Sequence, residues 1–199
     1  CQIIGAKGLK SVADLKGKNV SVGDAGSGVE FNATQILAAY GIDIEKDIKK
    51  HNLSFGDSAE ALKDGKIDAF FIVAGAPTTA VTELATTNDI SLVSIDKEHA
   101  DKLMKDYPFY SEMNIPKDTY KGLEGDVSTV AVKATIICRK DLPEDAVYKL
   151  TKGIFENKDT IAESHAKGKL LDPKYATESI SVPFHPGAAK YFKEIGVMK

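Results

Sequence analysis

The chain has 199 residues, of which 43% are hydrophobic and 28% are charged, and its formal net charge is −3. This length supports a sizeable core in one domain or one and a half, and the composition is ordinary for a soluble globular protein. The weak, interspersed charge argues against a nucleic-acid partner, and the sequence contains no run near the roughly 18 apolar residues of a membrane span.

The chain opens with an apolar segment, residues 1–5, which is predicted to be a strand that continues from an earlier part of a protein. The absence of a signal segment therefore says little about the compartment. A leading cysteine would also suit a lipoprotein anchor, although no polar tether follows it. The two cysteines, Cys1 and Cys138, allow at most one disulfide, and Cys138 is predicted to be a small buried hydrophobic residue.

Residues 1–95 alternate short apolar runs with helical patterns. Strands are predicted at 20–23, 51–55, 67–73 and 90–95, and helices at 29–40, 59–64 and 78–85. Asp57 and Ser58 are candidate caps of the second helix, and Thr78 is placed to cap the third. A βαβαβ series of this kind predicts an α/β fold in which helices flank a parallel sheet with right-handed crossovers.

The second half of the chain is less regular. A helix is predicted at 97–105, a long β-prone run at 127–138, and helices at 143–156, 159–167 and from about 188 to 195. Pro143 is expected at the first position of its helix, where the missing N–H is not needed. No internal repeat or Pro/Gly-rich linker marks a domain boundary.

The most informative segment is the glycine-rich turn that joins the predicted strand at 20–23 to the helix that follows. Gly26, Ser27 and Gly28 precede Val29, where the helical pattern begins. Glycines allow close approach to the main chain, and a helix that starts there directs free N–H groups and a positive dipole end into the loop. The segment is therefore a candidate anion site, in which a side chain at Gly28 is expected to obstruct the ligand and to force a strained φ. The alternative is a turn that only solves a packing problem.

The loop does not match the common nucleotide-binding motifs, because its spacing is G-x-x-G-x-G and no Gly-Lys-Ser/Thr follows. A second strand-to-helix loop contains Gly75, Ala76 and Pro77. Ligands of parallel α/β sheets bind outside the carboxyl ends of the strands, so the two loops are expected to lie at one edge. What the pattern favours is capture of a small anion such as a carboxylate.

Catalytic and metal sites find little support in the sequence. The four histidines, at positions 51, 99, 165 and 185, are far apart, and no C-x-x-C or H-E-x-x-H motif occurs. His185 is either a base or, as we favour, a local contact that holds the turn into the last helix. Asp68 is expected to make a strand-end or turn contact. No catalytic residue, metal or cofactor is predicted.

Four aromatic residues lie in the second half of the chain, after the helix predicted at 97–105. They either form a wall over a ligand or, as we favour, a satellite core beneath a long loop. These residues are Tyr107, Phe109, Tyr110 and Tyr120.

Short segments spread in order over nearly the whole chain carry a family resemblance. They are Asp14-Leu-Lys-Gly-Lys18, Val20-Ser-Val-Gly23, Gly26-Ser-Gly28, Asp64-Gly-Lys-Ile-Asp-Ala-Phe-Phe71, Gly75-Ala-Pro77, Val147-Tyr148 and Pro183-Phe-His-Pro-Gly-Ala188. In these segments the chain resembles the TAXI family, the substrate-binding subunits of one branch of the TRAP (tripartite ATP-independent periplasmic) transporters.

The resemblance implies a type II periplasmic-binding-protein fold, in which two α/β lobes close on a ligand. It implies an extracytoplasmic receptor that passes a small organic anion (glutamate, a 2-oxo acid or a dicarboxylate) to a sodium-coupled membrane permease. The implied ligand-binding residues are Gly26, Ser27, Gly28, Val29, Gly75, Ala76 and Pro77. The family commonly has threonine where this chain has Val29, so a hydroxyl donor is missing there.

The family pattern also begins with a glycine-rich turn of the first lobe that has no counterpart here, so the chain is expected to be a fragment. Residues 1–130 are expected to form the second lobe with its entry strand, residues 127–138 to contain the crossing strand, and residues 139–199 to form the C-terminal part of the first lobe. Such a fragment is expected to self-associate. The alternative function is an enzyme or effector-sensing domain on the same lobe fold, which would need a committed acid in the cleft or a DNA-binding helix pair.

Overall fold

The structure, a computed structural model, describes residues 1–164 and 166–199. It divides into two units, Cys1–Val132 and Lys133–Lys199, which are described in turn. None of the described helices is both long enough and apolar enough to cross a bilayer.

A five-stranded mixed sheet organises the first unit. Its strands are β1 (Gln2–Ala6), β2 (Asn19–Ser21), β3 (Lys49–His51), β4 (Ala69–Ile72) and β5 (Ile90–Leu92), in the order β3-β2-β4-β1-β5. Strand β2 pairs in parallel with β3 and β4, whereas β1 runs antiparallel to both β4 and β5. The predicted α/β class is confirmed, and the mixed sheet flanked by helices is the architecture expected of a periplasmic-binding-protein lobe.

The predicted parallel pairing is present among β2, β3 and β4, but the sheet is not parallel throughout, because β1 runs antiparallel to its neighbours β4 and β5. Ile3 and Ile4 point to opposite faces of the sheet and are both fully buried, which marks β1 as a central strand. An apolar run shows that a strand is buried on both faces, but it does not show in which direction its neighbours run.

Four helices cover the two faces of this sheet: α1 (Gly28–Ala39), α2 (Phe55–Lys63), α3 (Thr79–Thr87) and α4 (Lys97–Asp106). Phe71 packs on the same side as α1 and α4, and its neighbour Phe70 packs on the side of α2 and α3. Alternate residues of one strand thus feed two separate cores, and this explains why the run at 67–73 is apolar without alternation.

The second predicted strand and the caps of the helix after it need correction. Strand β3 ends at His51, and Phe55 is the first residue of α2 rather than the end of a strand. The N-cap is Ser54, whose Oγ accepts the N–H of Asp57 at 3.2 Å. Asp57 is therefore the third helical residue and accepts the Ser54 hydroxyl, so the two side chains satisfy each other at the helix start.

An antiparallel hairpin completes the first unit. It consists of β6 (Tyr110–Ile115) and β7 (Val127–Val132), with Tyr110 opposite Val132. The predicted β-run to Cys138 is therefore too long, because no strand is described over residues 133–138. Cys138 is exposed and Cys1 is buried, both as free thiols, so the expectation of a buried Cys138 is wrong. A β-prone segment forms a strand only when another strand pairs with it.

The second unit contains α5 (Glu144–Glu156), α6 (Lys158–Ser164), α7 (Pro173–Thr177) and α8 (Pro186–Glu194), with a short 3₁₀ segment at Ala166–Leu170. Pro143 is the N-cap of α5, one position before the one predicted. The helix predicted to reach residue 167 ends at Ser164, and His165, one of the four scattered histidines, lies outside the described residues. Helices α5 and α8 pack together through aromatic contacts such as the stacked rings of Phe155 and Tyr191.

Candidate functional site

The two glycine-containing loops leave neighbouring strands at the same edge of the sheet. Strands β2 and β4 pair in parallel, with Val20 opposite Ala69, so their carboxyl ends point the same way. The loop after β2 leads into α1 and the loop after β4 leads into α3. Both helices therefore begin at one edge, which is where ligands of such sheets bind.

Within the first loop, two glycines are required by the backbone. Gly23 has φ of +85°, and a Cβ there would lie 2.6 Å from the Cβ of Val29. Gly26 has φ of +75°, also in the left-handed region. By contrast, a Cβ at Gly28 would meet nothing within 4 Å. Gly28 is open to solvent rather than strained, so a substitution there acts only by obstructing what approaches the main chain.

The start of α1 leaves several hydrogen-bond donors facing the loop. Ser27 is the N-cap, and its Oγ accepts the N–H of Glu30 at 3.2 Å, which leaves its own hydroxyl hydrogen able to donate. The N–H groups of Gly28 and Val29 belong to the first turn, where no intrahelical acceptor exists. The Val29 side chain packs against the core, so Val29 offers a ligand its N–H alone.

A carboxylate of the protein itself already fills part of this loop. Glu30 accepts the N–H of Gly26 at 2.6 Å, an amide N–H of Asn52 at 3.2 Å and the ammonium of Lys50 at 2.8 Å. The same Asn52 amide donates to the carbonyl of Gly23 at 2.8 Å. These hydrogen bonds, led by the one from Lys50, lower the pKa of Glu30 from 4.5 to about 2.

Glu30, Lys50 and Asn52, the glycine-loop clamp, were not found by sequence reasoning. A sequence signal for Glu30 was present, because Ser27-x-x-Glu30 matches a capping box. In such a motif the glutamate side chain accepts a main-chain N–H that precedes the helix. The pairing of β3 with β2 brings Lys50 and Asn52 close to Glu30, and no local sequence pattern predicts that pairing. The clamp engages Gly26, so an incoming anion would use Ser27, Gly28 and Val29 as donors.

The second loop contains Gly75, Ala76 and Pro77, with a cis peptide bond before Pro77. Its ends are held by Gln2, whose side-chain amide donates to the carbonyl of Ala74 at 3.1 Å and to Oγ1 of Thr78 at 2.9 Å. These bonds anchor the loop to the central strand β1.

Thr78 is the N-cap of α3, but its side chain does not cap the helix as predicted. Its Oγ1 donates to the carbonyl of Gly75, at 3.2 Å. The N–H of Thr78 instead donates to the hydroxyl of Tyr120 at 2.8 Å, and that hydroxyl donates to Oε1 of Gln2. The buried hydroxyl of Tyr120 therefore accepts the N–H of the N-cap residue of α3.

A second tyrosine holds α1 in a comparable way. The hydroxyl of Tyr110 accepts from the side chain of Asn32 at 2.6 Å and donates to Oε1 of Gln35 at 2.7 Å. Burial raises the pKa of this phenol to about 12. Tyr110 is 2% exposed and Tyr120 is 3% exposed, so for these two the favoured interpretation of core residues is confirmed. Tyr107 and Phe109 are half-buried and pack against the same core as Tyr110.

Two further polar residues singled out from the sequence make structural contacts, as expected: His185 at a helix start and Asp68 at a strand end. Nδ1 of His185 accepts the N–H of Gly187 at 3.1 Å, at the start of the last helix. Asp68, immediately before the start of β4, accepts the N–H of Asn19 at the start of the neighbouring strand β2, at 2.8 Å. Over residues 1–164 and 166–199, no group of three or more His, Cys, Asp and Glu side chains is arranged to hold a metal ion.

With its α/β lobe and two helix-start loops described, the chain can be placed among known proteins. The NMT1-like family matches residues 3–196, and the chain belongs to that family.

Solved structures of binding proteins are similar to the chain at low identity. The periplasmic aliphatic sulphonate binding protein SsuA from Escherichia coli is 17% identical, with a TM-score of 0.48, over 96% of this chain and 54% of that protein. The alkanesulfonate-binding protein SsuA from Xanthomonas axonopodis pv. citri, bound to MOPS, is 16% identical, with a TM-score of 0.47 and the same coverage. A polar amino acid ABC uptake transporter substrate binding protein from Streptococcus thermophilus is 16% identical, with a TM-score of 0.36, over 97% of this chain and 56% of that protein. The chain thus spans about half the length of these proteins.

Proposed function

We propose that this chain is part of a non-catalytic extracytoplasmic receptor that binds a small organic anion and delivers it to a membrane permease. The observation that carries the proposal is the shared position of the two loops, at the carboxyl ends of the adjacent parallel strands β2 and β4. Membership of the NMT1-like family is consistent with it.

The chemistry of the first loop supports an anion as the ligand. Ser27 offers a hydroxyl, and Gly28 and Val29 offer main-chain N–H groups at the positive end of the α1 dipole. Gly75, Ala76 and Pro77 would form the neighbouring part of the wall. No step of chemistry is required of these residues: they bind and orient, and specificity comes from a second wall that closes over the ligand.

The finer assignment rests on the resemblance to the TAXI family. On that basis the permease is of the TRAP type and the ligand is a carboxylate such as glutamate, a 2-oxo acid or a dicarboxylate. Residues 1–130 would form one lobe, residues 127–138 would cross between lobes, and residues 139–199 would return to the other lobe.

Native mass spectrometry of the receptor, followed by calorimetry with the co-purifying acid, tests the proposal. Ser27→Ala should weaken binding by about one hydrogen bond to a charged group, roughly tenfold or more. Because Ser27 also caps α1, the matched control is Ser54→Ala, which removes the equivalent cap of α2 outside both loops. The control should lose similar stability, about 1 kcal/mol, and bind the acid as the native protein does.

Two results would contradict the proposal. One is a receptor that retains no small acid and gives no heat with glutamate, 2-oxoglutarate or malate. The other is equal binding by Ser27→Ala and the native protein, which would remove the first loop from the site.

A further inference from the structure

We infer that Gln2, Thr78 and Tyr120 form a closed cycle of hydrogen bonds that makes the second loop and the connection between β6 and β7, residues 116–126, loosen and order together. The cycle joins three segments that lie far apart in the sequence: β1, the start of α3 and this connection. All three segments belong to the first unit, and the coupling between them needs no bound ligand.

The hydrogen-bond cycle consists of three bonds. Nε2 of Gln2 donates to Oγ1 of Thr78 at 2.9 Å, the N–H of Thr78 donates to the hydroxyl of Tyr120 at 2.8 Å, and that hydroxyl donates back to Oε1 of Gln2. Gln2 is 2% exposed and Tyr120 is 3% exposed, so water does not readily replace a lost partner. Because a buried polar group without a partner is costly, the three bonds depend on one another.

The direction of every bond in the cycle is fixed by a main-chain carbonyl. Nε2 of Gln2 also donates to the carbonyl of Ala74 at 3.1 Å, and a carbonyl can only accept. The amide oxygen of Gln2 must therefore face Tyr120, whose single hydrogen goes to that oxygen. The Thr78 hydroxyl, which accepts from Gln2, gives its own hydrogen to the carbonyl of Gly75 at 3.2 Å. Reversing the Gln2 amide would place two acceptors together, so the cycle has a single arrangement.

The cycle holds both ends of the second loop to one point of the connection. Ala74, Gly75 and Pro77 are exposed, so few apolar contacts hold this stretch and its hydrogen bonds decide its order. If the loop opens, Tyr120 loses the N–H that it accepts. If Tyr120 moves, Thr78 loses its acceptor. The two segments are therefore expected to fluctuate as one cooperative unit.

Amide hydrogen exchange on the full chain tests the coupling. The reporter amides are that of Thr78, which ends the second loop, and that of Thr119, which donates to the carbonyl of Pro116 at 2.9 Å within the connection. Gln2→Met removes the side-chain hydrogen bonds of Gln2 and leaves the acceptors of both reporters in place. We expect both amides to exchange faster by about two- to tenfold, the factor that corresponds to one net hydrogen bond.

A second variant breaks the cycle at another member. Thr78→Val removes the hydroxyl but no helix cap, since this side chain does not cap α3. It should speed exchange at Thr119 by a similar factor, and Thr78→Ser, which keeps the hydroxyl, should restore the native rate. Combining Gln2→Met with Thr78→Val should add nothing at Thr119, because residues of one network are not additive.

Gln35→Met is the matched control. Gln35 is also a buried glutamine, 6% exposed, and it accepts a hydrogen bond from a buried tyrosine hydroxyl at 2.7 Å. It lies within α1, outside the cycle and both loops. Its substitution should leave the exchange of both reporter amides at the native rate.

Three results would overturn the coupling. Faster exchange at Thr78 with unchanged exchange at Thr119 in Gln2→Met would show that the loop opens alone. Equal acceleration in Gln35→Met and Gln2→Met would show that exchange follows the overall stability of the fold. Additive effects in the double variant would show that the bonds act independently. If Gln2→Met does not fold, the comparison of Thr78→Val with Thr78→Ser at Thr119 decides the question by itself.

Discussion

Single residues of the first loop divide into those that shape it and those that are free to meet a ligand. Gly23 shapes the loop, because its φ is +85° and a Cβ there would lie only 2.6 Å from the Cβ of Val29. Glu30 shapes it as well, by accepting the N–H of Gly26. Gly28 has no positive φ and no neighbour that a Cβ would meet within 4 Å. The sequence motif of three glycines therefore does not show which glycine the folded backbone requires.

We predict that Gly23→Ala destabilises the protein and Gly28→Ala does not. Left-handed strain costs about 1–3 kcal/mol, and the clash with Val29 and with Ser27 Oγ at 3.2 Å adds to it. Gly28→Ala should be neutral or slightly stabilising, because alanine favours helix. Urea unfolding of both variants checks this, and equal free energies of unfolding would contradict it.

The clamp predicts a pH dependence of stability. The pKa of Glu30 is about 2 in the folded protein, below its ordinary value of 4.5. Its carboxylate therefore stabilises the native state fully above about pH 4.5, and this contribution is lost as the pH falls toward 2, because the unfolded chain takes up the proton first. Glu30→Gln should be less stable near neutral pH and should lose less stability on acidification.

Urea midpoints between pH 2 and pH 7 would measure this difference. Glu60→Gln is the matched control, because the Glu60 side chain is 70% exposed and lies 3.5 Å from Lys63 in a surface pair of small expected energy. If Glu30→Gln and Glu60→Gln follow the same pH profile, the clamp does not hold the loop.

Between elements, two tyrosines connect the hairpin region to the helices that begin at the site. Tyr110 stands at the start of β6 and bridges Asn32 and Gln35 of α1. Tyr120, in the connection between β6 and β7, joins Thr78 at the start of α3 to Gln2 of β1. Each hydroxyl accepts one hydrogen bond and donates another, so one segment of the chain holds the middle of α1 and the start of α3.

We predict that Tyr110→Phe and Tyr120→Phe each destabilise the protein by about 1–3 kcal/mol, since each leaves buried polar groups without partners. Tyr107→Phe is the control, because its ring lies at the edge of the same core and its hydroxyl belongs to neither bridge. Thermal or urea unfolding measures the effect. Losses below about 0.5 kcal/mol for both variants would show that water replaces the hydroxyls.

At the scale of the whole molecule, the second unit carries the most exposed apolar side chains. Ile136 is 73% exposed and Ile137 is 80% exposed, within a segment that has no strand partner among the described residues. Leu150 of α5 is 54% exposed. These side chains form exposed apolar surface, which favours association with another surface.

We predict that the 199-residue chain self-associates through this segment at micromolar concentration. Sedimentation velocity should show dimers or larger species, and Ile136→Lys should shift the distribution toward the monomer. Thr135→Lys is the control, because it adds the same charge at the neighbouring exposed position and removes no large apolar side chain. A native chain that sediments as a monomer would contradict the prediction.

The local features of this protein could be predicted from its sequence. The helix at 29–40 was expected one residue from its observed bounds, and the contact of His185 at the start of the last helix was expected correctly. These features depend on contacts between residues close in sequence or on a strong apolar periodicity. Both can be recognised in a short stretch of sequence. Membership of an α/β class followed from the same alternation of strands and helices.

Only the tertiary structure decided what depends on pairing between distant segments. The direction of β1 between β4 and β5, and the end of β7 at Val132 instead of residue 138, depend on which strand lies alongside. The clamp needs Lys50 and Asn52 beside Glu30, and the tyrosine bridges join residues 42 to 118 positions apart. Sequence patterns determined which segments are helix or strand and which loop offers N–H groups, because those are local properties. The partners of each strand and side chain are decided by packing in three dimensions, so the chemistry that surrounds the loop appeared only in the folded chain.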